Sequence, residues 1–394
     1  MFEKKPVIVG MSGGVDSAVV AAMLKEEGYN VIGVTLVLWK DEAEDEKRWQ
    51  DRSCCKVGLA RHVAKQLDIP HHTIDAQKAF KAEIIDDFCD TYLLGQTPNP
   101  CVRCNALIKF ARLLDIAREM GGSLATGHYA RIKQNQNGDA TSAGGTTCGG
   151  RAPSVRYILQ TGVDSKKDQS YFLYRLTQEQ LASTLFPLGE MNKEAVYQEA
   201  ASLGLPYENI LESQEICFVN QKNYQTFITE NRPEAISPGE IIMESGGGNI
   251  SQGAHPSQGA LPRREVVGTH KGIAFHTIGQ RRGLDVALGE RVYVTRIDPI
   301  KNEVTVGYAD ALLQRELSAD RIVWGGEGIP AVPLRVQAKI RYKSFPKKAT
   351  LFGADGNTLQ MLFDEPERGI TPGQSVVLYQ GDSVVGGGII RSGG

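Results

Sequence analysis

The residues best suited to do chemistry fall in a few short strings. Ser12-Gly13-Gly14-Val15-Asp16-Ser17 stands between an apolar run ending at Gly10 and a helical pattern. Gly10, Gly13 and Gly14 let backbone N–H groups approach an anion closely, and the start of the following helix adds its positive end. Ser12 and Ser17 can donate hydroxyl hydrogen bonds to phosphate oxygens, while Asp16 can orient the loop or a Mg²⁺. No G-K-[ST] follows, so this is not a Walker A loop, and it is not a G-x-G-x-x-G dinucleotide fingerprint. A ligand-free glycine turn is the bland alternative, which the full string in a strand-to-helix setting disfavours.

The second string is Thr97-Pro98-Asn99-Pro100-Cys101-Val102-Arg103-Cys104-Asn105. The two prolines hold the residues before them extended. Cys104 is expected at or near a helix N-terminus with Arg103 beside it, a setting that lowers a thiol pKa. Three readings stay open for the pair: a nucleophilic or persulfide-carrying cysteine, half of a metal or Fe–S site, or inert thiols. A structural zinc site normally needs two more ligands, and there is no second C-x-x-C. Cys217, in Ser213–Phe218, is flanked by apolar residues and alone reads as a small buried hydrophobe; its value depends on whether the fold brings it to Cys104. Cys54, Cys55, Cys89 and Cys148 lack comparable settings and are read as non-catalytic. Lys166-Lys167-Asp168-Gln169, the paired arginines Arg281-Arg282, and Arg341-Tyr342-Lys343 with Lys347-Lys348 suit phosphate contact and base stacking, or simply a solvated surface. His128 follows Gly127 at a strand end and faces either nucleotide or target base, if it is not structural.

These residues need elements to hold them. Strand-like runs at 6–10, 31–38, 71–74 and 123–127 alternate with helical patterns at 15–27, 56–67, 80–92 and 106–118, which predicts an α/β domain with a doubly wound parallel sheet. Ligands in such sheets sit at the carboxyl ends of strands, where Gly10–Ser17 and Thr126–Tyr129 fall. From residue 291 the period shifts to two, over seven runs, predicting a C-terminal antiparallel β-barrel or sandwich. The stretches 134–154 and 245–262, rich in small and polar residues, read as surface loops. The chain of 394 residues is long enough for two or three domains, placed at 1–212, 213–290 and 291–394. Its formal net charge of −2 hides 16 Lys/Arg against 9 Asp/Glu between His255 and Lys348, which suits a polyanion. Seven cysteines, an odd number, argue for a reducing compartment, and no run approaches a membrane span; a cytoplasmic location and no membrane partner are expected.

The SGGVDS string resembles the PP-loop of ATP pyrophosphatases, which cleave ATP between the α and β phosphates. Taken with TPNPCVRCN, ATGHYA, KDQSYFL, SQEICF, HTIGQRRGL and KIRY in this order, the chain resembles the bacterial and organellar tRNA-specific 2-thiouridylases from about Val7 to the C-terminal strands. The resemblance implies a PP-loop domain, a small central domain and a C-terminal β-barrel. It implies that ATP with Mg²⁺ is held by Gly10, Met11, Ser12, Gly13, Gly14, Val15, Asp16 and Ser17, with Leu36 and Gly127 at the adenosine. Asn99, Pro100 and Cys101 would approach the target base, and His128, Lys167, Asp168, Gln169, Arg341, Tyr342 and Gln374 would contact tRNA. Cys104 would be the nucleophile and Cys217 would carry a persulfide from a donor such as a cysteine desulfurase or relay protein, its sulfur either attacking C2 directly or leaving as hydrosulfide with a Cys104–Cys217 disulfide left behind. One departure stands out: many relatives carry aspartate where this chain has Cys101. With that third thiol, Cys101, Cys104 and Cys217 could instead ligate a [4Fe–4S] cluster. The rivals are a PP-loop ligase acting on a small molecule, with no need of the cysteines, and a binding protein that releases no pyrophosphate.

Overall fold

The computed structural model describes residues 5–39, 56–135, 155–205, 216–219, 223–245 and 263–393. Cys54, Cys55 and Cys148, and nearly all of the two expected surface loops, lie outside them.

Five strands form a wholly parallel sheet in the order His71–Asp75, Asn30–Val37, Pro6–Gly10, Ser123–Thr126, Thr184–Leu185. The first strand is buried on both faces, as a run of Val7, Ile8 and Val9 requires. Val7 and Val9 pack with the helix Val15–Glu26 on one side, while Ile8 packs with the helices spanning 80–117 on the other. The chain leaves the first strand toward Asn30–Val37, then returns to place Ser123–Thr126 on its opposite edge. Gly10 lies beside Thr126 at this reversal, so Met11–Gly14 and Gly127 share the crevice where ligands of such sheets bind.

The cysteine-bearing helix begins earlier than the pattern at 106–118 suggests. It runs from Pro100 through a π-helical turn, Asn105–Lys109, to Glu119. Asn99 caps it, its Oδ1 accepting from the Val102 N–H at 3.4 Å, and Pro100 occupies the first turn, where a missing N–H costs nothing.

The central unit is a four-stranded sheet in the order Tyr293–Asp298, Glu303–Gly307, Gly239–Ser245, Arg263–His270. Its pairing corrects the division at 291: the strands 293–298 and 303–307, assigned from their alternation to the C-terminal barrel, belong here. Alternation reports one buried face and not which sheet covers it. The barrel proper starts at Leu313–Trp324, a strand not foreseen, which pairs with both Thr358–Arg368 and Ser383–Gly393 and so closes six antiparallel strands into a ring. A hairpin from the first domain, Ala130–Asn135 with Arg156–Thr161, joins its edge through Gln160 and Ser383.

Candidate active site

A cleft of about 1660 Å³ runs from the Gly10–Ser17 loop to Cys101 and Cys217, between the parallel sheet and the barrel. At its nucleotide end Gly13 has φ +77°, and a Cβ there would lie 2.4 Å from the Lys56 carbonyl oxygen, so the loop path needs glycine. Gly127 is pressed against the first helical turn: a Cβ would come within 2.9 Å of Asp16 and the Ser17 nitrogen. Of the two hydroxyls foreseen as phosphate donors, that of Ser17 donates within the loop, and that of Ser12 acts there as an acceptor. Ser17 Oγ donates to the Gly14 carbonyl at 3.0 Å, and Ser12 Oγ accepts from the Gly14 N–H at 3.4 Å. Asp16 is held through one oxygen: Lys193 Nζ and the Tyr129 hydroxyl both reach its Oδ1 at 2.7 Å. Leu36, Met11 and Val15 complete the wall at this end.

At the other end, Cys101 opens onto the cleft, whereas Cys104 is 6 % exposed, packed among the residues of the core. Cys217 is half-buried and lines the same cleft. Phe218, next to it, anchors the segment by packing edge-on to Phe80 and Phe88 at 5.7 and 5.1 Å, and against Phe227 at 5.2 Å. The fold therefore gathers the three cysteines, and each of Cys101 and Cys104 lies close enough to Cys217 to feel its charge.

The expected lowering of the Cys104 pKa is not found. Cys104 sits inside a continuous helix, and Arg103 turns away to Glu83 at 3.1 Å and Asp87 at 3.5 Å. Burial pushes Cys104 up to about 12, with the Lys109 ammonium pulling the other way. Cys101, though an exposed residue, is crowded by protein and rises to about 11. Among the described residues no group of three His, Cys, Asp or Glu is arranged to hold a metal ion.

The remaining expected contacts divide. Asn99 Nδ2 donates to the Tyr171 hydroxyl at 3.4 Å, and Pro100 lines the cleft. Gln374, on the barrel, donates to the carbonyls of Thr97 and Pro98 at 3.2 and 3.0 Å, so it fixes the segment ahead of the cysteine helix. Lys167 lines the cleft. Asp168 is 7 % exposed and its oxygens accept from the Gly162 and Ser170 N–H groups and the Ser170 hydroxyl; it shapes the turn. Gln169 accepts from the Tyr129 N–H at 3.0 Å. His128 is bonded through Nδ1 to Thr126 Oγ1 at 2.8 Å, stacks against Phe110, and is driven down to about 3 by burial, so it is neutral. Arg341 donates to the Gly369 carbonyl, and Tyr342 stacks on Phe172 with centroids 4.4 Å apart. Three cations were missed by sequence reasoning: Lys193, Lys109 and Lys339, the last held over Tyr342 at 5.7 Å. Isolated lysines on helices and strands carry no local signal. With them, eight Lys/Arg and three Asp line the cleft, a balance that favours a polyanion.

A parallel sheet with a glycine loop at its reversal point, and thiols in the same cleft, defines a nucleotide-dependent enzyme of the PP-loop class. Residues 5–221 match the tRNA methyl transferase HUP domain family, 225–308 the tRNA methyl transferase PRC-barrel domain, and 314–390 the aminomethyltransferase β-barrel domain. The chain is 42% identical over 98% of its length to the tRNA-specific 2-thiouridylase MnmA 2 of Clostridium tetani, covering 99% of that protein. It is 44% identical, with the same coverage of both chains, to the tRNA-specific 2-thiouridylase MnmA of Moorella thermoacetica. Among solved structures, the U34-tRNA thiolase NcsA of Methanococcus maripaludis with its [4Fe-4S] cluster matches 59% of this chain and 66% of its own at 18% identity and a TM-score of 0.34, too distant to bear on mechanism. The chain belongs to the tRNA-specific 2-thiouridylase family.

Proposed function

We propose that this protein replaces the C2 oxygen of the wobble uridine in tRNA with sulfur, at the expense of ATP. The observation that carries the reading is the single cleft with an anion-binding loop at one end and Cys101 and Cys217 at the other, Cys104 lying behind them. The uridine C2 carbonyl is a poor electrophile because its oxygen leaves badly. Transfer of AMP to that oxygen releases pyrophosphate and turns the oxygen into a phosphate leaving group. Gly10–Ser17 and Gly127 hold ATP, with Mg²⁺ shielding its phosphates. A persulfide on Cys217, loaded by a persulfide donor protein, supplies the sulfur. Either its outer sulfur attacks C2 and expels AMP, after which Cys104 attacks Cys217 Sγ to free 2-thiouridine, or Cys104 attacks Cys217 Sγ first and releases hydrosulfide that attacks C2; both leave a Cys104–Cys217 disulfide. Asn99 and Pro100 would approach the base once it has left its stack, with Tyr342 and Lys167 toward the RNA. A cytoplasmic location follows from this substrate; among the described residues no helix is long and apolar enough to cross a membrane.

The test uses the full chain, unmodified tRNA, ATP and inorganic polysulfide under anaerobic conditions. Cys217→Ser should bind ATP and tRNA and form no 2-thiouridine above background. A variant that still thiolates sinks the persulfide assignment.

A further inference from the structure

We infer that Cys101 is a third redox thiol, which resolves a Cys104–Cys217 disulfide and carries the oxidation to the cleft surface as a Cys101–Cys104 disulfide. The inference rests on the reading above, where sulfur release leaves Cys104 and Cys217 joined. That disulfide must be reduced before another round, and half of it is out of reach. Cys104 is 6 % exposed and packed in the core between the sheet and the barrel, so a protein-sized reductant cannot contact its sulfur. Cys101 is exposed and opens onto the cleft.

The two are placed for exchange by the helix itself. Cys101 and Cys104 are three residues apart on one helix, which runs on without a break to Glu119, so their side chains share a face with Cβ atoms about 5–6 Å apart. A small adjustment of the first turn brings this within disulfide reach. Cys217 lines the same cleft as Cys101 and packs against the core that holds Cys104. Cys217 lies near enough to both helix cysteines for its charge to raise their pKa values, and the charge of Lys109 favours the thiolate of both against burial.

The exchange balances without an outside oxidant. The Cys101 thiolate attacks Cys104 Sγ, a Cys101–Cys104 bond forms, the Cys104–Cys217 bond breaks, and the electron pair leaves on Cys217. The proton lost from Cys101 is available to Cys217, which is then free to accept the next persulfide. Two electrons from an external dithiol protein reduce the surface disulfide. Attack at Cys104 is favoured over attack at Cys217 because the helix fixes the first pair at short range.

The experiment loads the full chain with inorganic polysulfide, allows one turnover on tRNA with ATP, quenches in acid, alkylates, and maps disulfides by peptide mass spectrometry. Wild type should hold Cys101–Cys104 with Cys217 alkylated. Cys101→Ser and Cys101→Ala should hold Cys104–Cys217. With a dithiol protein as reductant, their multiple-turnover rate relative to their own single-turnover rate should fall by about tenfold or more, and a small phosphine should restore it. A wild type holding only Cys104–Cys217, an unchanged rate ratio, or variants already inactive in the single turnover would overturn the inference. Absence of 2-thiouridine from loaded wild type would instead defeat the thiolation reading, and the relay with it.

Discussion

The cysteines of the C-x-x-C string differ in what the fold does to them. Both thiols are raised, Cys104 to about 12 and Cys101 to about 11, because burial penalises the thiolate more than Lys109 favours it. At neutral pH each is protonated, and a step that needs the thiolate gains about tenfold per pH unit while the pH stays below these values. The single-turnover rate of persulfide-loaded protein should therefore climb through pH 7 to 9 without levelling. A plateau below pH 8 would mean that bound tRNA and ATP lower the pKa, or that no thiolate of these residues is used. The sequence could not show this. It placed Cys104 beside Arg103 near a helix start, yet Asn99-Pro100 was the stronger signal. An N-cap followed by proline puts the helix start there, so Cys104 lies a turn inside and Arg103 pairs with Glu83.

At the level of elements, the nucleotide loop is set by two contacts from distant parts of the chain. Gly13 turns under the Lys56 carbonyl, and Gly13→Ala would meet both a left-handed backbone and that oxygen. Loss of ATP binding is expected, with a stability cost of about 1–3 kcal/mol, measured by nucleotide titration and denaturant unfolding. Unchanged ATP affinity would show that the loop has another path. Lys193, 8 % exposed at the start of the helix Lys193–Ser202, holds Asp16 at 2.7 Å. Lys193→Met leaves Asp16 without its cation; since Asp16 is one-third open to water, the cost should be about 1–2 kcal/mol, less than for a fully buried pair. Its KM for ATP should move more than its KM for tRNA, and equal shifts would argue for a general loss of structure. The string SGGVDS was legible because glycine spacing and a strand-to-helix turn are local facts. Lys193 was not, since nothing local distinguishes it from a solvated helix lysine. The same holds for Gln374, whose grip on Thr97 and Pro98 depends on how the barrel docks.

Across the whole molecule, the parallel sheet and the strand-rich C-terminal half could be read from hydrophobic period, whereas sheet membership could not. Tyr293–Asp298 and Glu303–Gly307 alternate as barrel strands do, and only pairing with Gly239–Ser245 assigns them to the central sheet. That unit contains a pair of buried imidazoles, His270 and His276, with centroids 5.5 Å apart and Nδ1 atoms without hydrogen-bond partners. Burial lowers both, His276 to about 4. A histidine depressed in the fold binds its proton more readily when unfolded, so its stability contribution is complete above pH 6.5 and is lost as the pH falls toward 4. His128, driven down to about 3, acts in the same direction. Urea midpoints should drop between pH 6.5 and 4, and His276→Gln should flatten that slope; an unaltered slope would place the acid sensitivity elsewhere.

The account turns on the uridine oxygen becoming part of AMP, and one measurement follows that atom. Unmodified tRNA carrying ¹⁸O at O2 of the wobble uridine is incubated anaerobically with the protein, ATP, Mg²⁺ and polysulfide, and both nucleosides and AMP are analysed by mass spectrometry. The account predicts 2-thiouridine only when ATP is present, with the ¹⁸O recovered in AMP. Thiolation with unlabelled AMP, or pyrophosphate release with no thiouridine under full persulfide loading, would contradict it.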